Sequence, residues 1–194
     1  MVTIELMGSD SKGLLSRVEE RLNVYALVIY IPDPLGRFLD DLRRELVPGC
    51  NPHAHVSVLP PRPLPGDWKA ASEQVHDFTA GQRPFPVELG EIRMFPVTNV
   101  IYVELRSGRE ELSSMHDALN GRALLFEEPF VYHPHVTLAQ EIPPGEVAAV
   151  HELAGRRWKE FQGERVFRAD HAAFVRSTMG NCWIDLANFA LGAV

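Results

Sequence analysis

Apolar residues along the chain alternate between the two-residue spacing of strands and the wider spacing of helices. The first part of the chain predicts a strand, a helix, a strand, a helix and a strand, over Val24–Ile31, Leu35–Leu46, His55–Leu59, Asp67–Thr79 and Phe85–Phe95. Pro60 and Pro61 are expected to end the second strand, because proline cannot donate a ladder hydrogen bond. These signals predict a domain that mixes helices and strands.

The same order of elements then recurs. A strand, a helix, a strand, a helix and two strands are predicted over Val100–Leu105, Glu110–Leu119, His135–Leu138, Pro143–Phe161, Val166–Val175 and Cys182–Phe189. The last two strands would pair through a Gly180-Asn181 turn. His135 follows His55 by 80 positions and Val100 follows Val24 by 76. We therefore predict an internally duplicated α+β fold, with two pseudo-two-fold related lobes and a cleft between them.

The segment that precedes the first strand has a different character. Leu14, Leu15, Val18 and Leu22 fall at helical spacing, which predicts one short helix, and the segment lacks the apolar centre of a signal peptide. We interpret residues 1–22 as an N-terminal extension and residues 23–194 as a single bilobal domain. The chain contains no apolar run of membrane-spanning length, so we expect a cytoplasmic protein. Its two cysteines, Cys50 and Cys182, are expected to be reduced thiols.

Composition limits the partners that the chain can have. Of its 194 residues 45% are apolar and 23% are charged, as in ordinary globular proteins. The formal net charge of -7 argues against binding a polyanion over the whole surface. A nucleic-acid partner would therefore be a nucleotide or a strand end. The chain lacks the glycine-rich loops of ATP or NAD sites, so no cofactor is expected, and nothing indicates an obligate protein partner.

Two matching histidine motifs carry the candidate chemistry. Residues 53–59 are HAHVSVL and residues 133–139 are HPHVTLA, so both contain His-x-His-Val followed by a hydroxyl residue. Residues two apart on a strand share a face, which puts His55 beside Ser57 and His135 beside Thr137. The valine between each pair points into the core. If the pseudo-two-fold axis brings the two strands together, four polar side chains meet in one cleft.

This set of side chains suits phosphoryl chemistry that requires no metal. One imidazole can remove a proton while the other supplies one, since imidazole titrates near neutral pH. The two hydroxyls can donate hydrogen bonds to non-bridging phosphoryl oxygens. A single His-x-Ser segment would have no such significance, but two copies at one repeat offset favour a functional pair.

The paired motif resembles the 2H phosphoesterase superfamily, and within it the 2′-5′ RNA ligases and RNA 2′,3′-cyclic phosphodiesterases. Pro60-Pro61-Arg62 after the first motif, Phe174, and Trp183-Ile184-Asp185-Leu186 near the end add to the resemblance, which extends from Val24 to the C-terminus. It implies a bilobal fold and a phosphoric diester hydrolase that hydrolyses or transesterifies a ribose-linked phosphodiester in a nucleotide or at an RNA end.

The resemblance also implies roles for individual residues. His55 and His135 would form the acid-base pair, and Ser57 and Thr137 would bind the phosphate. For a 2′,3′-cyclic phosphate we assign His135 as the base that activates water and His55 as the acid that protonates the departing ribose oxygen. Ser57 stands where threonine is common in the family, which keeps the hydroxyl.

Further residues near the motifs have two interpretations each. Arg62 and Arg176 would either contact the phosphate or nucleotide or be solvated surface arginines. Phe130 and Tyr132 would either stack on a base or belong to the core. The outer histidines, His53 and His133, would line the cleft, support the inner pair or lie outside the strands, since Pro52 and Pro134 disturb the backbone there. These alternatives stay open at the level of the sequence.

Two other functional classes compete with the metal-free enzyme. The two His-x-His pairs could bind zinc, although no Asp or Glu lies near the first pair to orient its imidazoles. We therefore predict no metal site. The chain could instead be a module that binds a nucleotide or RNA end without converting it.

Overall fold

The computed structural model describes residues 21–51, 53–179 and 182–192. Within these ranges the strands are β1 Arg21–Tyr30, β2 His55–Arg62, β3 Phe85–Met94, β4 Ile101–Ser107, β5 His135–Ala139, β6 Val166–Ala169, β7 His171–Thr178 and β8 Trp183–Ala190. The helices are α1 Leu35–Leu46, α2 Trp68–Ala80, α3 Arg109–Leu119 and α4 Val147–Glu160, with a 3-10 turn at Arg122–Leu124. None of the described helices is long and apolar enough to cross a membrane.

The strands form two four-stranded antiparallel sheets with matching arrangements. The first sheet has the order β2-β1-β7-β8 and the second the order β5-β4-β3-β6. The unit β1-α1-β2 corresponds to β4-α3-β5, which confirms the predicted duplicated, bilobal α+β fold. Each repeat also contributes to the other sheet: β3 pairs with β4, and β7, which is followed by β8, pairs with β1. Each sheet therefore contains strands from both repeats.

The first strand begins earlier than predicted. It starts at Arg21 instead of Val24, and Leu22, which was assigned to a helix in the extension, lies within it. Residues 1–20, with the rest of that predicted helix, lie outside the described part of the chain, as does the predicted Gly180-Asn181 turn. The pairing of β7 with β8 is as predicted. The division into residues 1–22 and 23–194 stays a prediction.

Two consecutive prolines do not end β2, contrary to expectation. Leu59 pairs with Leu27 and Arg62 pairs with Tyr25, so three steps along β2 match two steps along β1. The extra residue of this bulge coincides with Pro60 and Pro61. Because β2 is the edge strand of its sheet, the missing proline N–H groups interrupt no ladder on its outer side.

The predicted strand over Val166–Val175 is in fact two strands in different sheets. It breaks at Asp170, where β6, paired with β3, gives way to β7, paired with β1. The Asp170 carbonyl accepts a hydrogen bond from the N–H of Leu191 at 2.7 Å. An apolar run shows which residues are buried, but it does not show that the chain leaves one sheet for another.

The helices cover one face of each sheet and leave the other face open. Alternate residues of the strands point into a common core, namely Leu27, Ile29, Val56, Val58, Val103, Val136 and Leu138. Burying one such side chain contributes about 1.5–3 kcal/mol, so this alternation strongly determines which face each strand presents. Residues between them in sequence, including His55, Ser57, His135 and Thr137, therefore lie on the open faces.

Arg62 lies inside the protein, where its side chain is only 1% exposed. Its guanidinium donates to the Pro60 and Leu124 carbonyls and to Asn120, and it forms an ion pair with Glu128. A buried charge is tolerated only when it is paired and hydrogen-bonded. The prediction that Arg62 reaches the phosphate, or lies at the solvated surface, is therefore wrong, because its donors bind groups within the fold.

The Arg62 ion pair belongs to a longer network that returns to β2. His116 Nε2 lies 3.0 Å from Glu128 Oε1, and the His116 ring stacks on Tyr132 at 4.0 Å between centroids. The Tyr132 hydroxyl donates to the Ser57 carbonyl at 2.8 Å. This network of Arg62, Glu128, His116 and Tyr132 thus links a residue just before the second histidine motif to the backbone of the first.

Replacing Arg62 should be strongly destabilising. We expect Arg62→Ala to lower the free energy of unfolding by about 3–5 kcal/mol, because Glu128 would be left buried without its counterion. Urea unfolding followed by circular dichroism measures this change. The exposed ion pair of Arg44 and Asp41 offers a control, since Arg44→Ala should change stability by less than about 0.5 kcal/mol. A loss below about 1 kcal/mol for Arg62→Ala would contradict the role assigned to this network.

Candidate active site

The two histidine motifs lie on adjacent edge strands. β2 carries His55 and Ser57, and β5 carries His135 and Thr137, each pair on the open face of its sheet and partly buried. The two strands contact each other although they belong to different sheets. His135 is close enough to His55 for its charge to lower the pKa of that imidazole. The sequence expectation that the two motifs meet is thus supported by their positions in the fold.

Both inner histidines are held by the same local hydrogen bond. His55 Nδ1 lies 2.6 Å from the carbonyl oxygen of His53, and His135 Nδ1 lies 2.6 Å from that of His133. Because a carbonyl can only accept, each Nδ1 must carry the proton. The neutral imidazole then has its lone pair on Nε2, the nitrogen that can accept a proton during catalysis.

Burial disfavours the charged form of both imidazoles. It lowers the pKa of His55 to about 4, against the bond to the His53 carbonyl and with help from the nearby charges of Arg43, His53 and His135. Burial also lowers the pKa of His135, against the bond to the His133 carbonyl and with help from the charge of His133. Near neutral pH both are therefore neutral before a substrate binds.

Aromatic rings hold the outer histidines in place. The His53 ring stacks on Tyr30 with 3.7 Å between centroids, and the Tyr30 hydroxyl donates to Asp185 at 2.7 Å. His133 meets the edges of Phe95 and Tyr102, at 5.4 and 5.7 Å. His53 and His133 thus lie just outside β2 and β5, as one of the sequence alternatives expected, and support the inner pair through their carbonyls.

Sequence reasoning missed several neighbours of the site. Tyr30 pairs directly with His55 across the β1–β2 ladder, and Glu104 pairs with His135 across the β4–β5 ladder. If the pairing of β2 with β1 had been predicted, counting residues along the two strands would have placed Tyr30 opposite His55. Arg43 comes from α1, and its charge reaches His55 through a packing of helix and strand that no local pattern encodes.

The second predicted arginine does not point towards the site. The Arg176 guanidinium lies over the ring of Tyr25, 5.0 Å from its centroid, and Arg176 Nε donates to the Leu22 carbonyl. Tyr25 faces the core, on the opposite side of the first sheet from Ser57. Since Arg176 shares that side, the expectation that it contacts the phosphate is wrong. Because side chains alternate between the two faces of a sheet along a strand, the position of Arg176 in β7 determines the face on which it lies.

The two predicted aromatic residues have different environments. Tyr132 is partly buried and is used within the fold, through its stacking on His116 and its bond to Ser57, so it behaves as a packing residue. The Phe130 ring is 62% exposed. Its predicted stacking on a base stays a prediction.

The described residues contain no group of three or more His, Cys, Asp or Glu side chains arranged to hold one metal ion. In both His-x-His pairs the inner imidazole directs Nδ1 to the carbonyl of the outer residue. The zinc alternative thus finds no ligand cluster in residues 21–51, 53–179 and 182–192. Within the described residues neither Cys50 nor Cys182 forms a disulfide.

A family model described as the 2′-5′ RNA ligase superfamily matches residues 31–181, and this range includes both histidine motifs. The chain belongs to the 2′-5′ RNA ligase superfamily. Two bacterial relatives carry the name phosphoesterase. The one from Geobacillus kaustophilus is 24% identical over 136 residues, which cover 66% of this chain and 75% of the relative. The one from Bacillus cytotoxicus is 28% identical over 130 residues, or 62% and 73% of the two chains.

Solved structures of this superfamily's fold match most of the chain. LigT of Escherichia coli, in complex with NADP+, superposes with a TM-score of 0.62 at 17% identity over 90% of this chain and 99% of LigT. TT0787 of Thermus thermophilus gives a TM-score of 0.64 at 17% identity over 87% and 98%. Together with the family, this fold supports an activity of the phosphodiesterase type.

The state of the two imidazoles can be tested by NMR. We expect 15N shifts to show the proton of both His55 and His135 on Nδ1, because both nitrogens face carbonyl oxygens. Since burial lowers the pKa of His55 to about 4, this ring should stay neutral from pH 7 to pH 5 and become protonated only near pH 4.

Three variants complete this titration. The substitutions His55→Asn and His135→Asn assign the signals. Arg43→Gln should raise the pKa of His55, since removing a nearby cation stabilises the imidazolium. A His55 midpoint at or above 6.5 would contradict the burial described above.

Proposed function

We propose that the protein is a metal-independent phosphodiesterase that acts on a ribose-linked phosphodiester, such as the 2′,3′-cyclic phosphate of a nucleotide or an RNA end. One observation carries the proposal: two adjacent edge strands present the same His-Val-hydroxyl segment with the same Nδ1 anchor. This arrangement offers two Nε2 atoms and two hydroxyls to one group.

The proposed reaction needs only these four side chains and water. One neutral imidazole removes a proton from water through Nε2 as the water oxygen bonds to phosphorus. The other, protonated after the anionic substrate has bound, gives its Nε2 proton to the ribose oxygen as the phosphorus-oxygen bond breaks. Ser57 and Thr137 donate hydrogen bonds to the non-bridging oxygens and hold the phosphate in line. After the reaction the base is protonated and the acid is neutral, and each returns to its starting state by exchanging one proton with solvent.

The environments of the two histidines favour one division of roles. Burial and the charge of Arg43 both act against a proton on His55, which suits a base that is neutral when water arrives. His135 is also buried, but among the described residues the only charge that lowers its pKa is that of His133, so it lacks the arginine that acts on His55. We therefore assign His55 as the base and His135 as the acid, the reverse of the assignment suggested by the resemblance.

Proteins of the same fold bind nucleotides, which supports a nucleotide-like substrate. LigT of Escherichia coli has been solved with 3′-AMP, at a TM-score of 0.62 and 16% identity to this chain. Usb1 of Kluyveromyces marxianus has been solved with uridine monophosphate, at a TM-score of 0.51 and 13% identity. These ligands contain the ribose and phosphate that the proposed reaction requires.

The decisive experiment is hydrolysis of uridine 2′,3′-cyclic phosphate in excess chelator. We expect the wild type to turn over, and His55→Ala and His135→Ala each to lose at least about a hundredfold in kcat, the scale of acid-base catalysis. Both variants should retain the wild-type circular dichroism, because each replaced ring lies on an open sheet face. His151→Ala, a histidine on α4, is the matched control and should remain active.

Other outcomes would point to the competing functions. Activity that is lost in chelator and restored by zinc would support the metal-dependent hydrolase. A cyclic nucleotide that binds tightly to fresh protein and is recovered unchanged would support a binding module. Near-normal turnover by both histidine variants would remove the proposed mechanism.

The roles of the two histidines can be separated with a substrate whose leaving group needs no acid. Hydrolysis of bis(4-nitrophenyl) phosphate releases a stable phenolate, so only the base should matter. On this substrate the kcat of His135→Ala should stay within about tenfold of the wild-type value, whereas the kcat of His55→Ala should still be about a hundredfold lower. The opposite pattern would restore the assignment in which His135 is the base.

A further inference from the structure

A pocket that the proposed reaction does not use lies beside the first motif. Its volume is about 470 Å³, and its wall includes Tyr30, His53, Arg168, Asp170, His171 and Asn188. Ala173 lies on the open face of the first sheet and also lines the pocket. The pocket adjoins the candidate site, because the Tyr30 ring that lines it meets His55 edge-on with 6.4 Å between centroids.

The charges around the pocket leave one cation without a counterion. Asp33 forms an ion pair with Arg37 at 2.8 Å, and Asp170 Oδ1 lies within hydrogen-bond distance of His171 Nδ1, at 2.9 Å. Arg168 lies on β6 between two buried residues, so its side chain points away from the core. Among the described residues, Arg168 has no ion pair. The pocket therefore combines two carboxylates that already have a hydrogen-bonding partner with one guanidinium that forms no ion pair among the described residues.

The wall next to His55 is preorganised. The stacked rings of Tyr30 and His53 lie 3.7 Å apart at an angle of 12° between their planes. The bond from the Tyr30 hydroxyl to Asp185 fixes the other end of this side chain. A flat, rigid wall next to a guanidinium suits a planar or sugar group that carries a phosphate, because arginine binds phosphate oxygens in a fork.

We propose that this pocket is a second anion subsite, in which Arg168 binds a phosphate on the 5′ side of the reacting nucleotide. This inference rests on the proposed function and adds to it a preference for substrates with a second phosphate. That phosphate is either a terminal 5′-phosphate or the internucleotide phosphate of a short RNA. The protein as a whole is acidic, but a single local cation is enough to bind the one phosphate next to the reacting nucleotide.

Three substrates test the subsite: uridine 2′,3′-cyclic phosphate, its 5′-phosphorylated form, and the dinucleotide that carries adenosine on its 5′ side. We expect kcat/KM to be about tenfold higher for both substrates with a second phosphate, the effect of one charge-assisted contact, mainly through a lower KM. Arg168→Gln should reduce this ratio to less than about twofold. Because the measurement is a ratio between substrates, a general loss of activity cancels.

Arg106 provides the matched control. It is 63% exposed on β4, is paired with Glu88 and does not line the pocket, so Arg106→Gln should leave the substrate ratio as in wild type. Equal kcat/KM values for all three substrates in wild type would overturn the subsite. So would a preference confined to the dinucleotide and unchanged in Arg168→Gln, because this would indicate stacking of the neighbouring base.

A binding measurement tests the subsite independently of catalysis. In a His55→Asn and His135→Asn double variant, calorimetry should show about tenfold tighter binding of the 5′-phosphorylated cyclic nucleotide than of its 5′-hydroxyl form. Adding Arg168→Gln should abolish the difference. If the wild type hydrolyses none of the three substrates, the proposed function fails, and this binding comparison still decides the subsite. Equal affinities would overturn it.

Discussion

The buried guanidinium of Arg62 is the charge on which the relative position of the two histidine strands depends. Removing a guanidinium from water is costly unless every donor finds a partner, so the segment from Leu124 to Tyr132 must close over β2. That segment leads directly into β5, and its Tyr132 hydroxyl bonds to the backbone of Ser57. A requirement of electrostatics thus brings together two edges that no ladder of hydrogen bonds joins. The candidate site is formed between these two edges.

The residues of the site that could be predicted are those that follow the two-residue repeat of a strand. Alternation along a strand is enough to place His55 with Ser57 and His135 with Thr137, and the repeat offset is enough to relate the two pairs. The arginines could not be assigned by residue type. Arg176 falls in step with the buried Phe174, so alternation was a better guide to it than its affinity for phosphate. Arg62 follows the bulge at Pro60 and Pro61, which interrupts the alternation, and it lies opposite the buried Tyr25. The partners of Arg62 lie far away in sequence, at Asn120 and Glu128.

Long-range features were beyond a local pattern for the same reason. The exchange of β3 and β7 between sheets, the approach of Arg43 to His55 and the pocket at Arg168 all depend on how distant elements pack. The duplication makes the two backbones alike, yet it does not make their surroundings alike. Tyr30 stands opposite His55 where Glu104 stands opposite His135. Because the charge of Arg43 acts on His55, the two equivalent histidines can differ in their affinity for a proton.

The bond from each inner imidazole to the carbonyl two residues earlier has an evolutionary consequence. In many enzymes a distant carboxylate selects the tautomer of a histidine, and copying the histidine alone would lose that control. Here the controlling oxygen lies inside a three-residue segment, at His53 for His55 and at His133 for His135. A tandem duplication of an ancestral gene for one lobe would therefore have produced two correctly protonated histidines in a single event. Selection would then have had to adjust only their surroundings.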